Sequence, residues 1–307
     1  MRMQFRSVVC ATDFSDYSNR TIPYGVAIAR EFGAKLYLCH VIDLTALTIY
    51  GEFQIDPVGQ QTRIREEAQE QLQKMLEHHR IPWEPLIAVG QPAAEITRLV
   101  EEKGIDLVVS ATRGRSGLKR LILGSVTQRL MRTLSCPLLA VQGPEQGLID
   151  PGTAGIRLKK ILIGCDFSED SVLALNYGLS LAQEFESEVH LIHVMEPPVY
   201  HDLLKPSEQT QDMALTDVLR EKLEGLVPGE ARNWCSLQAE ILRGQPYEEL
   251  VAYAHVQDMD MIVLGVRGYG LVRSFLMGST TDRVVRNAPC SVLTVSAQVH
   301  RPSERRT

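Results

Sequence analysis

The chain has 307 residues, 44% hydrophobic and 23% charged, with a formal net charge of −6. That length suits two domains of ordinary size, and the acidic balance argues against a nucleic-acid surface. No apolar stretch nears the roughly 20 residues of a membrane span, and residues 1–5 lead into a strand without a secretory leader, so a cytoplasmic location is expected.

Residues 7–12 read as a first strand, followed by the turn Asp13-Phe14-Ser15 and a helix over 18–32 that Gly33 ends. Residues 36–41 form a second strand. Residues 44–60, with Gly51, Pro57 and Gly59, read as a long loop. An amphipathic helix over 63–79 puts Ile64, Ala68, Leu72, Met75 and Leu76 on one face. In the third strand, 81–89, Pro82 and Pro85 point to a sheet edge. Pro92 opens a helix to Lys103, and 106–111 is a fourth strand. Then come Ala111-Thr112-Arg113-Gly114, nine residues, Gly124-Ser125, a helix to Leu134 and a fifth strand over 137–141.

The same order then repeats. Asp13-Phe14-Ser15 returns as Asp166-Phe167-Ser168, and His40-Val41 as His193-Val194, each 153 residues on. Gly90-Gln91-Pro92 returns as Gly244-Gln245-Pro246, and Gly124-Ser125 as Gly278-Ser279, each 154 residues on. This is a tandem duplication with one inserted residue in the second copy. The division expected is 1–142, a Gly/Pro-rich linker at 143–158, 159–297, and a basic tail at 298–307. The six cysteines (10, 39, 136, 165, 235, 290) show no CxxC and no zinc spacing, so buried thiols are expected rather than disulfides or a metal site.

In the second copy the apolar run 261–264 leads into Gly265-Val266-Arg267-Gly268 and, nine residues later, Gly278-Ser279 at a helix start. Strand, glycine loop and helix N-terminus together gather N–H groups and the positive end of a helix dipole, which suits phosphate. Ser279 stands where an N-cap belongs. Apolar strands alternating with helices argue open parallel sheets with helices on both faces. Ligands bind such sheets beyond the strands' carboxyl ends, where the strand order reverses. The loops after the first and fourth strands both lie there.

The Asp-Phe-Ser turn, the His-Val pair and Gly-x-x-Gly-x9-Gly-Ser, each present twice, resemble the universal stress protein family over nearly the whole chain. The resemblance implies two tandem five-stranded parallel sheets of order 3-2-1-4-5, a Rossmann-like fold of the adenine nucleotide alpha hydrolase type. It also implies a nucleotide site in each half, for ATP, AMP or ADP, with or without Mg²⁺. Asp13 and Asp166 would meet the ribose, a carboxylate being able to accept from both hydroxyls; a cap for the helix that follows is the second reading, behind ribose contact because of the matching loop. Val41 and Val194 would offer main-chain groups to adenine. Gly114, Gly124 and Ser125 in one half, and Gly265, Gly268, Gly278 and Ser279 in the other, would cradle phosphate. Thr127 and Thr281 would add hydroxyls. Ala11, Thr12, Val126, Gly164, Cys165 and Thr280 complete the set. Arg113 and Arg267 read as solvated rather than phosphate-bound, and His40 and His193 as packed or capping. Ala111 stands where the motif's first glycine belongs, and its methyl is expected to weaken ligand binding in the first half.

No Walker A lysine, acidic pair for Mg²⁺ or base for water is present, so no catalytic residue is assigned. The expected function is a nucleotide-dependent stress-response regulator without efficient catalysis. A slow ATPase or autophosphorylating enzyme and a protein-interaction module are the alternatives. The final strands of the two halves are expected to pair as an internal pseudo-dimer, with a homodimer of chains as a further step.

Overall fold

The computed structural model describes residues 4–43, 57–112, 123–142, 148–150, 154–196, 208–268 and 278–297. The chain divides into two compact units, one built on residues 4–141 and the other on residues 157–307, with the short segment 149–156 joining the first.

In the first unit the strands are β1 (Ser7–Ala11), β2 (Lys35–Ile42), β3 (Trp83–Val89), β4 (Leu107–Ala111) and β5 (Leu138–Val141). All pair in parallel, in the order β3-β2-β1-β4-β5. Val8, Val9 and Cys10 of β1 and Val108 and Val109 of β4 are wholly covered, as strands buried on both faces require. Each such side chain contributes roughly 1.5–3 kcal/mol of burial. The helices are α1 (Asp16–Asn19), α2 (Thr21–Phe32), α3 (Pro57–Leu76), α4 (Pro92–Lys103) and α5 (Ser125–Thr133). α3 buries Ala68, Leu72 and Leu76 on the expected face. β3 lies at an end of the unit's strand order, where its prolines belong.

The second unit repeats this with β6 (Lys160–Gly164), β7 (Glu188–Met195), β8 (Leu237–Arg243), β9 (Met261–Gly265) and β10 (Ser291–Val295). Their order is β8-β7-β6-β9-β10, again parallel. Its helices are α6 (Glu169–Phe185), α7 (Glu208–Gly225), α8 (Pro246–Val256) and α9 (Ser279–Asn287), with a 3-10 turn at Gly229–Asn233. Both sheets therefore have the expected 3-2-1-4-5 order.

Two further features recur. Asp106 Oδ2 accepts the N–H groups of Arg6 and Ser7 at 2.8 and 2.9 Å, and Asp260 Oδ2 those of Lys159 and Lys160 at 2.7 and 2.9 Å. One carboxylate thus fixes the start of the central strand in each unit. Gly90 and Gly244 sit at φ 147 and 146 before the Gln-Pro start of a helix, a conformation that favours glycine.

Three local expectations are corrected. The first helix begins at Asp16 and is interrupted at Arg20, where the sequence suggested one helix from 18. The loop expected at 44–60 ends earlier, because Pro57 already starts α3; a proline costs nothing where the N–H has no helical partner. Ser279 is the first residue of α9 and Gly278 its N-cap, with no side-chain cap bond. Among the described residues no helix is long and apolar enough to cross a membrane. All six cysteines are free thiols, and burial pushes Cys10, Cys39, Cys136 and Cys290 up to about 12.

Candidate functional site

In each unit the strand order reverses between the central strand and its fourth-strand neighbour, so the two following loops diverge and leave a crevice. Three backbone segments and one carboxylate lie at that end of the strands.

The first segment is the end of the second strand. β1 pairs with β2 only as far as Ala11 opposite Cys39, whereas β2 continues along β3 to Val89. Thr12 N–H donates to Cys39 O at 2.9 Å, so Cys39 faces β1, and Gly90 N–H donates to Ile42 O at 3.0 Å, so Ile42 faces β3. Alternation along a strand then turns the N–H and C=O of Val41 to the side where β1 has ended. Cys165 N–H to Ile192 O and Gly244 N–H to Met195 O place Val194 the same way past β6.

The second segment is the Asp-Phe-Ser turn. Asp13 Oδ1 accepts Ser15 N–H at 3.0 Å, Ser15 Oγ at 2.6 Å and Ser18 Oγ at 2.6 Å. Asp166 Oδ1 accepts Ser168 N–H at 3.1 Å and Ser168 Oγ at 2.5 Å. The N-caps themselves are Ser15 and Ser168, whose hydroxyls accept from Ser18 and Ser171 N–H. Each aspartate thus holds the capping serine through one oxygen. Thr12 Oγ1 accepts Phe14 N–H at 2.9 Å and donates to Asn19 at 2.8 Å.

Sequence reasoning missed what holds this turn. Phe14 and Phe167 sit at φ 64 and 65, rarely adopted by an aromatic residue. Each ring packs on a histidine, Phe14 on His40 at 4.1 Å and Phe167 on His193 at 4.7 Å between centroids. His40 Nδ1 lies 2.9 Å from Thr12 O, and His193 Nδ1 2.7 Å from Cys165 O. A carbonyl only accepts, so Nδ1 carries the proton in both. The histidines are packed supports, as expected, and the legible signal was that Phe and His recur together.

The third segment is the glycine loop. Gly278 N–H donates to Val266 O at 2.9 Å, and Gly124 N–H to Thr112 O at 2.8 Å, closing each loop at its neck. The first helical bonds are Asp282 N–H to Gly278 O and Gln128 N–H to Gly124 O. The N–H groups of Ser279, Thr280 and Thr281, and of Ser125, Val126 and Thr127, therefore have no partner within their helices. Ser125 and Ser279 are exposed. In the second unit the parts sit very close. Asp166 Oδ2 lies 2.6 Å from where a Cβ on Gly268 would stand, and Gly268 N lies 3.7 Å from where one on Gly278 would stand. Gly114 and Arg113 lie outside the described residues.

Several expected contributors have other partners. Thr127 Oγ1 donates to Ala111 O at 2.6 Å and Thr281 Oγ1 to Gly265 O at 2.7 Å; both are buried, so their hydroxyls tie helix to strand end. A Cβ on Gly164 would meet Leu264 and Leu250 side chains, and a Cβ on Gly265 would meet the main chain of Asp170 and Ser171. Both glycines serve packing. Ala111, the counterpart of Gly265 in the first unit, is buried at the end of β4. Burial pushes the Cys165 thiol up. Arg267 is only partly exposed and is not a free surface cation; it pairs with the buried Asp170, Nε to Oδ2 at 3.2 Å.

The comparisons with known proteins agree with this twofold build. The model of the universal stress protein family matches residues 4–142 and again 157–296. The chain belongs to the universal stress protein family. A universal stress protein of Methanocaldococcus jannaschii is 33% identical over 148 residues, 46% of this chain and 85% of its own length. One from Synechocystis is 21% identical over 315 residues, 94% of this chain and 99% of its own. Among solved structures, a universal stress protein from Archaeoglobus fulgidus superposes with a TM-score of 0.68 at 20% identity, covering 96% of this chain and 99% of that one. That likeness is one of fold. The shorter relative matches about one half, whereas the Synechocystis universal stress protein matches nearly the whole tandem chain.

Proposed function

We propose that each half of this tandem universal stress protein binds an adenine nucleotide, and that the chain is a nucleotide-dependent stress-response regulator rather than an efficient catalyst. The base would lie against the main chain of Val41 or Val194, where the second strand outruns the first. The ribose would meet Asp13 or Asp166, and the phosphates the first turn of α5 or α9, where N–H groups and helix dipole favour anions. The observation that carries this reading is the closeness of Asp166, Gly268 and Gly278: among the described residues, the nearest atoms to a Cβ on Gly268 are those of the Asp166 carboxylate, and the nearest to one on Gly278 are main chain. ATP is the ligand expected, and any Mg²⁺ would be held by its phosphates, since among the described residues no cluster of three His, Cys, Asp or Glu suits a metal.

The test is calorimetric titration of the nucleotide-free protein with ATP, ADP and AMP, followed by phosphate release over hours. Saturable binding with no turnover supports the reading. Heat signals absent up to millimolar nucleotide would refute it, and turnover at ordinary enzyme rates would replace a regulator by an ATPase.

A further inference from the structure

Asp170 is 5% exposed, at the start of α6, and its carboxylate ties that helix to two other segments of the second unit. Oδ2 accepts Arg267 N–H at 3.0 Å and Arg267 Nε at 3.2 Å. Oδ1 accepts Ala297 N–H at 2.8 Å and Arg267 Nη2 at 3.4 Å. Arg267 also donates to Ser296 Oγ. The far end of the same residue lies against the capping serine: Ser168 Oγ, whose proton points chiefly to Asp166 Oδ1 at 2.5 Å, is 3.2 Å from Arg267 O. Held at its N–H and side chain by Asp170, Arg267 sets the main chain that leads into Gly268.

The first half keeps Arg113 at the place of Arg267 but has Tyr17 for Asp170 and Gln142 for Ser296. Tyr17 is 38% exposed and stacks under Arg20, 5.1 Å from its ring centre. A tyrosine hydroxyl cannot accept the four N–H bonds that Asp170 accepts.

We propose that Asp170 and Arg267 are positioning residues that pre-set the loop after β9 for an anionic ligand, so that the second half fills before the first. The inference rests on the nucleotide reading above. Main chain already held at Arg267 loses less freedom on binding, and pre-fixing a single residue's backbone is worth roughly tenfold in affinity.

The experiment is an ATP titration of the full ¹⁵N-labelled chain, following the amide signals of Ser125 and Ser279. In the natural chain Ser279 is expected to saturate at lower ATP than Ser125. Asp170→Asn keeps the shape but loses the charge, and should raise half-saturation at Ser279 roughly tenfold while leaving Ser125 unmoved. A merely structural role would lower the melting temperature and leave the half-saturation of the folded protein where it was. That result, or Ser125 saturating first, overturns the proposal. Arg267→Lys keeps charge and main-chain bonds, and is expected to weaken Ser279 less; it serves as the test should Asp170→Asn not fold. Should neither signal respond to ATP in the natural chain, the nucleotide reading fails. Amide exchange at Arg267 and Gly268 then decides the positioning claim alone: faster exchange in the variant supports it, and unchanged exchange ends it.

Discussion

Replacing Gly265 with alanine tests what the motif's first glycine is for. An ideal Cβ there would lie 2.7 Å from the Asp170 carbonyl carbon, 2.8 Å from Asp170 Cβ and 2.8 Å from Ser171 N. Comfortable contacts begin near 3.5 Å, and the obstacles are main chain, so no rotamer change relieves them. The first turn of α6 must retreat, and Asp170 would be pulled from its four bonds. Overpacking of this kind costs roughly 1–3 kcal/mol; alanine's lower unfolded-state entropy returns about 0.5–1 kcal/mol. A net loss of about 1 kcal/mol is expected. The chain has two tryptophans, Trp83 in the first unit and Trp234 in the second. In a Trp83→Phe background, urea unfolding followed by Trp234 fluorescence reports the second unit. Its midpoint should fall with an unchanged slope. A midpoint within about 0.5 kcal/mol of the parent would refute the packing argument. A loss of ATP affinity without loss of stability would return the glycine to the ligand's side. In the first unit, Ala111 occupies the matching position and the helix opposite is interrupted at Arg20. Ala111→Gly should therefore cost about 0.5–1 kcal/mol and gain no affinity.

Gly278→Asp places a carboxylate at the start of α9, with its Cβ 3.3 Å from Val266 O; ATP shifts at Ser279 should vanish, at a cost of a few kcal/mol in binding (roughly 100-fold or more), while those at Ser125 persist. Gly268→Ala puts a Cβ 2.6 Å from Asp166 Oδ2; an affinity loss of roughly tenfold at the second site is expected by calorimetry, and an unchanged value would separate Asp166 from the ligand. His190 is buried against Tyr253, Glu240, Glu188 and Lys160, and burial lowers its pKa from the ordinary 6.5 while Glu188 opposes the shift. The unfolded chain then takes up the proton first, so stability present above pH 6.5 is lost as pH falls toward the folded value; urea midpoints at pH 7.5 and 5.5 should differ more in the natural chain than in His190→Gln. Cys10 and Cys39, raised to about 12 by burial, should resist a thiol reagent at pH 8 until urea unfolds the first unit, as mass mapping would show.

Much of this molecule is decided by local pattern. Apolar runs such as Val8-Val9-Cys10 and Ile161-Leu162-Ile163 specify strands covered on both faces, and the repeat at 153–154 residues doubles every observation. The fall of the aspartate turn and the glycine loop at strand ends follows from element order alone, because parallel strands bring all such loops to one edge. What only the tertiary structure decided depends on partners distant in sequence. Gly265 and Gly268 look alike in the motif, yet one makes room for a helix start and the other for the Asp166 carboxylate. Thr281 looks like a ligand hydroxyl until the strand-end carbonyl beneath it is seen. Arg267 looks like a surface cation, and Asp170, 97 residues away, turns it into a clasp. A side chain's role is set by the nearest group able to exchange a proton or fill a space, and in a parallel sheet that group arrives from another crossover. The sequence therefore determined where the crevice lies, and the packing determined which atoms are left to face it.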